Sequence, residues 1–122
     1  MTRCAIAIAA VLTLGPIAAQ ADGDPVAGKT AFNKCMVCHS PKEGDNKIGP
    51  SLFGIVGRHS HSIPGFVYSD PMKGYDVTWD PATLDNYLVD PRKTVPGTKM
   101  IFVGIKNETE RKNLIAYLET LK

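Results

Sequence analysis

Residues 34–41 read KCMVCHSP. Two cysteines three apart, Cys35 and Cys38, are followed at once by His39. Three chemistries use such a set: a redox disulfide, part of a zinc site, and the covalent seat of a haem. A dithiol site of the thioredoxin kind follows a strand within a βαβ pattern, whereas this motif follows a stretch with helical signals. Structural zinc takes four Cys or His ligands. His59 or His61 could complete that set, but adjacent Cys38 and His39 fit poorly on one tetrahedral ion. The haem reading uses all three residues. Each cysteine adds its sulfur to one vinyl group of the porphyrin, and His39 falls under the iron; C-x-x-C-H is the attachment signature of c-type haem.

The start of the chain points to export. Met1-Thr2-Arg3 is short and basic, Cys4–Leu14 is an apolar or small-residue run, and Gly15-Pro16 breaks it before Ala19-Gln20-Ala21. This is the order of a secretory leader with its cleavage site, and the run is shorter than the about 20 residues of a membrane span. Residues 1–21 are therefore expected to be removed, leaving residues 22–122 as one domain in the periplasm. Cys4 leaves with the leader. In an oxidising compartment cysteines pair, but a CxxC disulfide closes too small a loop to staple a domain. The whole chain has 14 basic and 12 acidic residues, a balance that implies neither nucleic acid nor an anionic membrane as partner.

Helix signals recur. Asp24-Pro25 and Asp80-Pro81 each place an N-cap before a first-turn proline. The first helix is expected to run to about Lys34. The second carries Leu84, Tyr87 and Leu88 on one face and ends at Asp90-Pro91, which can open a short further helix. Asn107 and Glu110 form a cap pair for the last helix, with Leu114, Ile115, Tyr117, Leu118 and Leu121 as its apolar stripe. Between Ser40 and Thr78 the chain is rich in Gly, Pro and Ser with no sustained period. A long structureless stretch suits a compact domain only if the loops have a function, here wrapping a large rigid group. The expected fold class is all-α: three helices and long loops around one prosthetic group.

A second axial ligand could come from His59, His61, Met36, Met72 or Met100. Met36 lies between the cysteines and cannot reach the opposite face. Met72 reads as easily as core. Met100 follows VPGTK, a Pro-Gly turn able to present a side chain inward. Spacing alone leaves the choice open.

Longer stretches add to this. GKTAFNKCMVCHS (28–40), IGPSLFGIVGR (48–58), PGFVYSD (64–70), VTW (77–79), YLVDPRKTVPGTKMIFVGIK (87–106) and ERKNLIAYLETLK (110–122) together resemble the class I c-type cytochromes, the group of mitochondrial cytochrome c and bacterial cytochrome c2. The resemblance implies that fold, with first and last helices crossing through Gly28, Phe32, Leu114 and Tyr117. It implies His39 and Met100 as axial ligands of haem c, with the Pro50 carbonyl orienting His39. It further implies that Arg58, Tyr68, Ser69 and Trp79 meet the haem propionates, and that Tyr87 and Thr98 lie near the methionine sulfur. Met72 stands where the family often has a polar Asn.

The function so implied is that of a monomeric carrier and not an enzyme. It would move single electrons from a cytochrome bc-type complex to a terminal oxidase, photosynthetic reaction centre or periplasmic reductase. Lys34, Arg92, Lys93, Lys99 and Lys106 cluster in sequence around the iron ligands, and would offer a positive face to acidic docking sites. Two other classes remain to be separated from it. A peroxide- or gas-binding haem would need a vacant sixth position, and a thiol module would hold no haem.

Overall fold

In the computed structural model, residues 23–122 are described, together with Gly15; the expected leader, residues 1–21, otherwise lies outside the described residues. The Asp24 carboxylate accepts from the Val26 N–H and starts α1, Pro25–Ala31. The helix tightens into a 3₁₀ turn at Phe32–Lys34 rather than continuing to Lys34. Asp80 caps α3, Pro81–Val89, by accepting from the Thr83 N–H. Asp90 ends α3 and caps α4, Pro91–Thr94, by accepting from Lys93. Asn107 caps α5, Glu108–Leu118, through the Glu110 N–H. A further single turn, α2 at Asp70–Lys73, is capped by Ser69; four residues carry too short a pattern to stand out in the sequence. The described residues hold helices and one isolated antiparallel bridge, His59 with Thr78.

The core forms where α1, α3 and α5 meet. α1 crosses α5 at Gly28, where a Cβ would stand 1.8 Å from the Asn113 carbonyl oxygen; only hydrogen fits. Phe32 sets its ring against Tyr117 at 5.1 Å, and Leu114 is wholly buried beneath. Burying a Phe or Leu side chain is worth about 1.5–3 kcal/mol, so this crossing holds the two ends of the chain together. α3 joins α5 through Arg111, whose Nε donates to Asp85 at 2.8 Å while one terminal nitrogen donates to the Ile105 and Lys106 carbonyls at 3.0 Å each. Arg111 is 8% exposed, although its place beside Glu110 and Lys112 reads as solvated.

The loop region is ordered by buried serines. Ser60 Oγ donates to the Tyr75 carbonyl at 2.6 Å and accepts from the Val77 N–H. Ser51 Oγ donates to the Lys42 carbonyl at 2.5 Å. These satisfy backbone groups that a buried loop would otherwise leave unpaired.

Candidate functional site

The backbone bonds Cys35 N–H to Phe32, Cys38 N–H to Cys35 and His39 N–H to Cys35 carry a helical winding through CMVCH. Residues three apart on such a turn share a side, so Cys35 and Cys38 lie together with His39 next. Neither cysteine is in a disulfide. Burial pushes the Cys35 thiol up to about 11, against a smaller lowering by Lys34. A neutral thiol is a poor nucleophile in redox exchange, which argues against the dithiol reading at Cys35.

His39 is held by Pro50, 2.7 Å from Nδ1 to the carbonyl oxygen. That oxygen can only accept, so Nδ1 carries the proton and Nε2 keeps the lone pair for a metal. Burial lowers the imidazole's pKa, the Pro50 bond opposes this, and the charge of Arg58 adds to the lowering. The ring is thus a neutral donor at neutral pH. Gly49 packs against it: a Cβ there would lie 2.3 Å from His39 Cε1. Sequence reasoning passed over Gly49, though its place before Pro50 was a signal.

Met100 follows the turn at Gly97, whose φ of +81° suits glycine. Thr98 Oγ1 accepts from the Met100 N–H at 3.3 Å. The Tyr87 hydroxyl donates to the Met100 sulfur, also at 3.3 Å. Met72 is half-buried against the core, and Met36 is 44% exposed.

The Arg58 guanidinium donates to the Ser51 and Phe53 carbonyls at 2.8–2.9 Å. None of the ion pairs among the described residues involves it. Burial lowers its pKa, and Tyr68 is near enough to act on it. The Tyr68 oxygen accepts from the Ile63 N–H at 3.0 Å, and the Ser69 oxygen accepts from Met72 at 3.3 Å. Each hydroxyl therefore keeps its own proton to donate. Trp79 is buried, tilted against Tyr87 at 4.8 Å. Arg58 is thus a half-buried cation without an acidic partner among the described residues, close to Tyr68.

Of the basic residues, Lys34 pairs with Glu110 and Lys106 lies 3.6 Å from Asp90. Lys99 donates to the Val67 carbonyl and stands 4.5 Å over the Phe66 ring. Arg92 and Lys93 are exposed on α4. These ammonium and guanidinium groups stay at the surface.

Two thiols on one turn, a neutral imidazole with a free Nε2, a thioether that accepts a hydrogen bond and a half-buried Arg58 fit a covalently bound haem. The comparisons with known proteins agree. The cytochrome c family profile matches residues 25–122. A cytochrome c2 of Rhodoplanes tepidamans is 55% identical over 93 residues, covering 75% of this chain and 87% of its own. A cytochrome c2 of Rhodomicrobium vannielii is 44% identical over 124 residues, covering 98% of this chain and 97% of its own. Among solved structures, cytochrome cH from Methylobacterium extorquens superposes with a TM-score of 0.75 at 43% identity, covering 80% of this chain and 99% of that one.

Proposed function

The chain belongs to the cytochrome c family and carries one covalently attached haem c, and we propose that it moves single electrons with His39 and Met100 as axial ligands. Bound haem c supplies a one-electron iron couple; the rest is the work of the chain. Cys35 and Cys38 attach the group by thioethers. Pro50 and Gly49 fix the His39 ring. The Met100 thioether, a soft ligand, would favour the reduced metal and raise its potential. Arg58, Tyr68, Ser69 and Trp79 receive the two propionates. His39 and Met100 would together leave the iron no open position for a substrate.

The observation that carries this reading is the Tyr87–Met100 hydrogen bond, because among the described residues Met100 is the one methionine whose sulfur accepts from a buried donor. Residues 1–21, read as a secretory leader, support a periplasmic location. None of the described helices is long and apolar enough to cross a membrane. Lys34, Arg92, Lys93, Lys99 and Lys106, with exposed Ile101 and Val103 beside Met100, form a face for acidic redox partners. Those partners are a bc-type complex as donor and an oxidase, reaction centre or reductase as acceptor. Steering by such a face weakens as salt rises.

Exposure of the reduced protein to carbon monoxide at neutral pH tests the ligation. A spectrum that stays unchanged over minutes supports the filled sixth position; prompt formation of a carbonyl complex would favour a gas- or peroxide-binding role.

A further inference from the structure

On the loop before α2, the antiparallel bridge His59–Thr78 fixes a register that the electron-transfer role does not use. Ser60 N–H donates to the Val77 carbonyl at 2.8 Å, so stepping two residues each way sets His61 opposite Asp76. Residues opposite one another across an antiparallel pair meet. His59, His61 and Asp76 therefore converge, with one ligand atom from each lying within 4.8 Å of the others.

Their protonation is the informative part. His59 Nδ1 sits 2.8 Å from the Ser60 carbonyl, which can only accept. The proton of a neutral His59 is therefore on Nδ1, and Nε2 is a bare lone pair. That lone pair faces Asp76 Oδ1 at 2.5 Å. Two acceptors at that distance repel unless a cation lies with them. His61 Nε2 is buried without a hydrogen-bond partner, 3.6 Å from the same carboxylate. Its backbone holds φ at +45°, an uncommon conformation for a residue other than glycine. The neighbouring Arg58 is turned away, onto the Ser51 and Phe53 carbonyls.

We propose that His59, His61 and Asp76 form a surface site for a divalent transition cation of the zinc class. Two imidazole nitrogens and a carboxylate are ligands that zinc accepts, with solvent completing a four-coordinate shell. Zn–N and Zn–O bonds of about 2.0–2.1 Å place tetrahedral ligand atoms about 3.4 Å apart. The observed spacings bracket that value, so side-chain rotations of about an ångström suffice. The Ser60 carbonyl serves as the outer partner that orients a ligating imidazole. His59 and Asp76 side chains are 51% and 72% exposed, which leaves a path in from solvent. The thioether-linked cysteines take no part.

Isothermal titration of the haem-loaded protein with zinc chloride tests this, comparing wild type with His59→Gln, His61→Gln and Asp76→Asn. Helical circular dichroism verifies that each variant is folded; two of the three changes lie on exposed side chains. The expected result is one zinc per chain, with each substitution weakening binding by at least about tenfold. Zinc affinity that is the same in wild type and all folded variants would overturn the site. So would the absence of saturable binding.

Discussion

Tyr87 on α3 donates its hydroxyl hydrogen to the sulfur of Met100 across 3.3 Å, linking a helix of the core to a loop 13 residues on. Burial, reinforced by Tyr75, pushes the phenol up to about 12, so the donor persists far above neutral pH. A hydrogen bond to a thioether draws electron density from the sulfur; with Met100 as the proposed ligand, it would weaken donation to oxidised iron more than to reduced iron. Tyr87→Phe is expected to lower the midpoint potential. A bond worth about 0.5–1.5 kcal/mol corresponds to roughly 20–60 mV for one electron. Cyclic voltammetry of the two proteins reads the shift, and an increase would contradict the assigned donor.

Gly28 separates two opposing expectations. Helix propensity favours alanine over glycine by about 1 kcal/mol. The crossing forbids it, because a Cβ would meet the Asn113 carbonyl at 1.8 Å and the Tyr117 Cβ at 2.8 Å. Overpacking costs about 1–3 kcal/mol, and here the obstacle is backbone. Gly28→Ala is expected to unfold at lower denaturant; a stabilised variant would show that α1 and α5 can separate freely.

Arg111 makes three polar contacts from a buried position. Arg111→Met leaves Asp85 without its partner and two carbonyls unsatisfied. Hydrogen bonds to a charged group are worth about 1.5–3 kcal/mol, so a loss of about 2–4 kcal/mol is expected in urea unfolding. Asp85→Asn keeps an acceptor and should cost less. Equal costs in the two variants would mean that the carbonyl contacts contribute nothing.

Acid stability rests in part on the caps. The Thr83 backbone N–H, then its hydroxyl, hold the Asp80 carboxyl below its usual range, and the Lys93 N–H does the same for Asp90. A carboxylate with a depressed folded pKa contributes fully above its unfolded value, near 3.9, and loses that contribution as pH falls through the lower folded value. Asp80→Asn with Asp90→Asn keeps a capping oxygen and removes the titration. Between about pH 5 and pH 2 the doubly substituted protein should lose less stability than wild type in parallel urea series. Identical slopes would contradict this.

Much of the architecture is legible because its signals are local. Asp24-Pro25, Asp80-Pro81 and Asn107 announce helices through groups within a turn of one another, and each cap forms. CMVCH likewise carries its chemistry in five consecutive residues. What escapes is long-range. Arg111 looks solvated because its partners lie 26 residues away on α3 and in the segment before α5. α2 hides because Ser69 caps a single turn, and Ser60 gives no hint that Tyr75 and Val77 will satisfy it. The pairing of His59 and His61 with Asp76 depends on the isolated His59–Thr78 bridge, which no periodic pattern records. Spacing leaves Met100 open and the resemblance implies it; the Tyr87 hydroxyl on its sulfur is a contact that no local pattern records.

The identity of the sulfur ligand decides the account, and the oxidised protein reports it through the weak sulfur-to-iron charge-transfer band of its visible spectrum. Met100→Ala should abolish that band, while Met72→Ala should leave it in place. A band that survives in Met100→Ala, or that disappears in Met72→Ala alone, would place the wrong methionine on the iron and contradict the electron-carrier site described for this chain.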